Sequence, residues 1–102
     1  MAVSAAESSK KKNDNSSQNN TYRGGSTYNK NGTRIDYEYN GTGSGNVHYH
    51  GTKGKEMLWT LNDGIEKTHM VAKTISVIIN SPQIQKAISR AQEIVISLSG
   101  LK

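Results

Sequence analysis

Between Thr33 and Leu61 the large apolar side chains return at every second residue, in three short runs separated by glycine-bearing turns. Ile35, Tyr37 and Tyr39 mark the first run, Val47 and Tyr49 the second, and Met57, Trp59 and Leu61 the third. A period of two belongs to strands that bury one face and expose the other. The first strand reads as Thr33 to Tyr39, the second as Asn46 to Gly51, the third as Lys55 to Leu61. Asn31-Gly32 is the strongest hairpin signal in the chain. The loop 40–45 (NGTGSG) and Thr52-Lys53-Gly54 make the next connections, and Asn62-Asp63-Gly64 ends the third strand. Connections this short join antiparallel neighbours. The expectation is a meander with one apolar face and one polar face.

After residue 80 the period changes. Ser81-Pro82 is a helix start, a serine N-cap followed by proline at the first helical position. Ile84, Ala87, Ile88, Ala91, Ile94, Val95 and Leu98 then recur at gaps of three and four, or neighbour such a position, and so form one helix face. Gly100 comes next as a C-cap. Residues 70–79 (MVAKTISVII) read as a shorter helix ending before Ser81-Pro82, and residues 62–69 as loop. An apolar sheet face needs a cover, and the C-terminal helix supplies a stripe of suitable length. The fold class is α+β: a small antiparallel β-meander with a C-terminal helix packed on one face.

The composition shifts near residue 21. Residues 4–20 (SAAESSKKKNDNSSQNN) contain no large apolar side chain and cannot offset the entropy of ordering. Residues 1–21 are therefore read as a disordered leader or junction, and 22–102 as the domain. The 102 residues include no cysteine, which excludes a disulfide framework and a Cys-based zinc site. No apolar run is long enough to span a membrane, and the first twenty residues have no apolar h-region of a signal peptide. The formal charge of +5 fits a polyanionic partner. It is spread along the chain, so a localised nucleic-acid arm is not indicated and Lys10–Lys12 reads as a solvated run.

The polar strand face holds the chemistry. Arg34, Asp36 and Glu38 alternate on the first strand, and His48 and His50 on the second. If the two strands pair, these side chains meet on one face. Metal-free RNA cleavage needs a base for the 2′-hydroxyl, an acid for the leaving 5′-oxygen, and a cation for the developing phosphorane charge. His48 and Glu38 fit the proton roles and Arg34 the charge role. Lys53 and Lys55 would add phosphate contacts. The same residue types are also those of any solvated strand face. His48 and His50 with Asp36 or Glu38 further make a set of metal-ligand type. The loop 40–45 lacks the Lys-Ser/Thr of a P-loop. Tyr37, Tyr39 and Tyr49 could stack bases, but their phase assigns them to the core. His69, alone in its loop, reads as inert surface.

The stretch TRIDYEYNGTGSGNVHYH, from Thr33 to His50, resembles a bacterial polymorphic-toxin C-terminal nuclease domain, of the kind carried by LXG-type, wall-associated and contact-dependent toxins. That family has an Arg-Ile-Asp-x-Glu strand, here Arg34-Ile35-Asp36-Tyr37-Glu38. It continues through a glycine-containing loop into a Gly-x-Val/Ile-His strand, here Gly45-Asn46-Val47-His48. Lys53-Gly54-Lys55, Leu58-Trp59 and the Pro82–Leu98 segment are similar to the family's lysine-rich turn, aromatic strand and C-terminal helix, so the likeness spans about residues 22–102. It puts the chain beside the barnase-like and EndoU-like ribonucleases, whose active site lies on the open face of a helix-covered sheet. It implies a nuclease toxin of interbacterial competition, delivered from a producing bacterium into the cytoplasm of a target cell. It also implies a cognate immunity protein as partner, expected to be acidic where it meets the active face.

The resulting expectation is a monomeric, metal-independent endoribonuclease that needs no cofactor and leaves a 2′,3′-cyclic phosphate, tRNA being one candidate substrate. His48 would be base or acid. Glu38 or Asp36 would take the second proton role or orient His48. Arg34 and Lys55 would stabilise the phosphorane, and Lys53, Lys55 and His50 would hold substrate. The alternatives are a metal-dependent DNase on the same scaffold and a non-catalytic module that binds nucleic acid or protein. Carboxylates repel phosphate, so Asp36 and Glu38 on that face favour catalysis over simple binding.

Overall fold

A computed structural model describes residues 22–52 and 54–100. The leader, residues 1–21, lies outside the described residues, as does Lys53. Five strands form one antiparallel sheet in chain order: β1 (Arg23–Lys30), β2 (Thr33–Tyr39), β3 (Ser44–Gly51), β4 (Gly54–Asn62) and β5 (Ile65–Thr68). Two helices complete the chain, α1 (Ala72–Ile78) and α2 (Pro82–Ser99). The fold is α+β, as the period change implies, with α2 packed across one face of the sheet against β1 to β4. Among the described residues no helix is long and apolar enough to cross a membrane.

The turn chemistry works as the sequence suggests. Asn31 and Gly32 both take positive φ, 54° and 79°, the geometry that matches the right-handed twist of the flanking strands. Asp63 and Gly64 repeat it at 55° and 86°. This second turn corrects the reading of residues 62–69 as loop. Ile65–Thr68 folds back on β4 in the register Asn62↔Ile65, Thr60↔Lys67. An Asp-Gly pair is a strong hairpin signal, like Asn-Gly, and the four residues after it are long enough to pair.

The core joins Ile35, Val47, Tyr49, Leu58, Trp59 and Leu61 of the sheet to Ile84, Ala87, Ile88, Ala91 and Val95 of α2. One assignment within it changes. Alternation predicts Met57 inward with Trp59 and Leu61, but it is exposed at 38% while Leu58 is fully buried. The cause is a β-bulge. Val47 pairs Trp59 whereas the next residue, His48, pairs Met57, so Leu58 is an extra residue on β4. The bulge shifts the phase by one and turns Met57 onto the open face beside His48. A second irregularity, between Ser26 and Tyr28, leaves Thr27 extra on β1, and its hydroxyl donates to the Ala87 carbonyl of α2 at 2.8 Å.

Helix α2 begins where predicted. Ser81 accepts a hydrogen bond from the Ile84 N–H, and Pro82 fills the first turn. Gly100 caps the other end at φ 84°, its N–H reaching the Ile96 and Ser97 carbonyls. The α1–α2 corner is tied by Gln85, whose amide donates to the Ile78 carbonyl at 2.9 Å. Close contact of α2 with the sheet requires Gly45. A Cβ there would lie 2.5 Å from both the Glu38 carbonyl oxygen and Val95 Cγ1.

Candidate active site

The uncovered face of β2 and β3 brings together most of the residues expected to carry chemistry. Arg34 pairs His50, Asp36 pairs His48, and Glu38 pairs Asn46 across the two strands. His50 in turn pairs Lys55 on β4. The side chains of Arg34, Asp36, Glu38, His48, His50 and Lys55 line a shallow groove of about 520 Å³ with Tyr22, Ser26 and Tyr37.

Asp36 is the organising group. Ser26 Oγ donates to Asp36 Oδ1 at 2.5 Å, and Arg34 Nε donates to both carboxylate oxygens at 2.9 Å. His50 Nε2 lies 3.3 Å from Asp36 Oδ2. Partial burial works to raise the Asp36 pKa, but the hydrogen bonds from Ser26 and Arg34 and the Arg34 and His50 charges outweigh it. The net shift is downward. Asp36 is therefore an ionised anchor that fixes a guanidinium and an imidazole.

His48 sits differently. Its ring lies 6.3 Å from that of His50, centroid to centroid, and is tilted 47° to it. Burial, then the nearby Lys55 cation, lowers its pKa, with Glu38 and Asp36 opposing. The ring is thus neutral at pH 7, the form that accepts a proton. Among the described residues no hydrogen bond or ion pair joins His48 to Asp36 or Glu38. Asp36 is turned to His50 and Arg34, and Glu38 accepts from the Tyr22 hydroxyl at 3.1 Å. That hydrogen bond raises the Tyr22 pKa.

The tyrosines divide. Tyr39 and Tyr49 are buried, at 2% and 1% exposure, as their phase demands. Tyr37 is half-buried and reaches the rim of the groove. Ser26 and Tyr22 join the site without any signal in the strand alternation, and Met57 comes to its edge as the cross-strand partner of His48. The first two come from β1 and the residue before it, where Gly24 and Gly25 hide the period. Met57 arrives through the bulge. His69 is exposed, and its Nε2 lies 2.9 Å from Thr60 Oγ1 on the open face. Among the described residues no three His, Cys, Asp or Glu side chains are grouped as a metal would require.

No family model matches the chain, and neither a curated protein nor a solved structure matches it significantly.

Proposed function

We propose that the domain is a metal-independent endoribonuclease that cleaves RNA by transesterification. The observation that carries this reading is a pair of histidines with unlike surroundings on the open face of one strand. His48 is held neutral, and His50 faces the ionised Asp36, with Arg34 and Lys55 beside them. Two imidazoles in different surroundings fit a reaction that removes one proton and delivers another.

In the proposed step His48 takes the proton of the 2′-hydroxyl. The 2′-oxygen attacks the adjacent phosphorus and the bond from phosphorus to the 5′-oxygen breaks. His50, oriented by Asp36, acts as the acid and gives a proton to that leaving oxygen. The products are a 2′,3′-cyclic phosphate and a 5′-hydroxyl. Arg34 and Lys55 face the charge that builds on the non-bridging oxygens. Asp36, engaged by Arg34 and Ser26, suits a positioning role better than a proton-transfer role. Glu38 remains the exposed carboxylate that can relay a proton or tune His48. His50 thereby moves from substrate holder to acid, a refinement that rests on the 3.3 Å contact with Asp36.

The wider reading is a toxin domain, delivered to a target cell and held inactive in its producer by an immunity protein with an acidic contact surface. The resemblance of Thr33–His50 to toxin nucleases supports it, as does the basic balance of the chain.

The test is incubation of the full chain with total RNA and with plasmid DNA, each with EDTA and with magnesium. RNA cleavage in EDTA is expected. His48→Ala should reduce it roughly 10²- to 10⁴-fold with an unchanged circular dichroism spectrum. A folded, fully active His48→Ala protein would overturn the mechanism. DNA cleavage that needs magnesium would replace ribonuclease with metal-dependent DNase.

A further inference from the structure

The open face does not end at His48. Across β4 and β5 a second groove, of about 620 Å³, continues it, lined by Met57, Thr60, Asn62, Ile65, Lys67 and His69, with Glu56 at its margin. Met57 is the cross-strand partner of His48, so the two grooves meet at the bulge. In the next row, Asn46, Thr60 and Lys67 run in register across β3, β4 and β5. Two strand spacings carry the groove roughly 10 Å beyond the His48 strand.

Resting on the ribonuclease reading, we propose that this second groove is a binding subsite for a nucleotide of single-stranded RNA that neighbours the one being cleaved. A nucleobase has an apolar face and a polar edge, and the groove offers both. Met57 and Ile65, at the two ends of the groove, are exposed at 38% and 68%, apolar surfaces left uncovered by α2, which lies on the other side. Around them stand groups able to read a base edge. Thr60 and His69 form one hydrogen-bonded pair. Asn62 accepts from Ser44 Oγ at 2.7 Å through its side-chain oxygen, which leaves its amide N–H groups to donate.

Lys67 supplies a cation for a phosphate. The one carboxylate at the margin, Glu56, is already paired with Lys73 at 3.3 Å, so repulsion of phosphate is muted. Asn46 lies between the grooves, opposite Glu38 on one side and Thr60 on the other. Its side-chain oxygen is buried with no hydrogen-bond partner. The groove is too open to hold a free small molecule firmly. It suits a ligand also anchored next door, as a chain of nucleotides would be. A double helix presents its bases edge-on and stacked, so it cannot lay one on these surfaces.

The test uses the full chain carrying His48→Ala, so that RNA is bound and not cut. A short single-stranded 2′-O-methyl RNA of mixed sequence is titrated while the Met57 methyl and His69 ring signals are monitored by NMR. Affinity is measured in parallel by fluorescence anisotropy for this protein and for its Lys67→Ala and Met57→Ala derivatives. Both signals should shift, and each substitution should weaken binding, by roughly 3-fold or more for Met57→Ala, the loss of about one methylene's worth of apolar contact. A duplex of the same sequence should bind more weakly. Shifts confined to the Arg34–His50 groove, with unchanged affinity on substitution, would overturn the subsite and leave the ribonuclease reading standing. Equal affinity for duplex would overturn the single-strand assignment. No RNA binding at all would overturn the subsite, while cleavage by the wild-type chain separately decides the enzyme.

Discussion

The bulge in β4 makes a prediction that runs against the alternation of the sequence. Met57 lies in phase with Trp59 and Leu61, so by alternation truncating it should open the core, whereas Leu58 should be a surface residue. The structure reverses the two. Leu58 is wholly buried and Met57 is 38% exposed. Removing a fully buried leucine side chain forfeits its transfer free energy and leaves a cavity, together about 2–5 kcal/mol. Met57→Ala removes a side chain that still touches solvent and should cost less than about 1 kcal/mol. In a domain of this size each 1 kcal/mol moves Tm by about 4–8 °C. Leu58→Ala should therefore melt at least about 8 °C below wild type, or fail to fold, and Met57→Ala within a few degrees of it. Thermal circular dichroism and urea titration of the two variants measure this directly. Equal destabilisation, or a larger loss for Met57→Ala, would refute the bulge and with it the position of Met57 beside His48.

Other expectations come from the site and its supports. Asp36 has a lowered pKa in the fold, so its contribution to stability is present above the unfolded value of about 3.9 and disappears as pH falls through the folded value. Asp36→Asn should therefore lose stability at pH 7 and show a shallower acid limb in urea midpoints measured against pH. His48 is also lowered, so the acid limb of kcat/KM against pH should fall below about 6.5; a limb above that value would show that His48 is not the base. Gly45→Ala must displace either the Glu38 backbone or Val95, and should cost about 1–3 kcal/mol in urea unfolding. Ser81→Ala, which removes the cap on Ile84 N–H, should cost about 0.5–2 kcal/mol by the same measurement.

Much of the scaffold is legible in the sequence because local chemistry and global packing agree in it. Asn31-Gly32, the alternation of Thr33–Tyr39 and the Ser81-Pro82 start each permit one main conformation, and the fold uses it. The failures have physical reasons. Three consecutive apolar residues, Met57-Leu58-Trp59, cannot all obey a period of two, and only a partner strand decides which one is extra. Strand β5 is four residues long and exposed throughout, so it shows no hydrophobic signature and is held by its turn and its ladder. Strand β1 has glycine at its second and third positions, and the missing side chains hide the period. At the site, strand phase assigns Arg34, Asp36, Glu38, His48 and His50 to one face. It does not say which carboxylate meets which histidine. That depends on side-chain direction and on Ser26, a residue ten positions away from Asp36.

The strand order also governs how the chain reaches its folded state. Each strand pairs only with its neighbours in sequence, so no ladder has to wait for a distant segment and loop-closure entropy stays small. The exception is α2, which seals surfaces of β1 to β4 built from residues far earlier in the chain. Until residues 82–99 arrive, Ile35, Val47 and Trp59 face water on a sheet with two open edges. The rate-limiting event in refolding should therefore be the docking of this helix. A chain that lost it would be a sticky, protease-sensitive meander that still carried His48 and His50 and could not hold them in place.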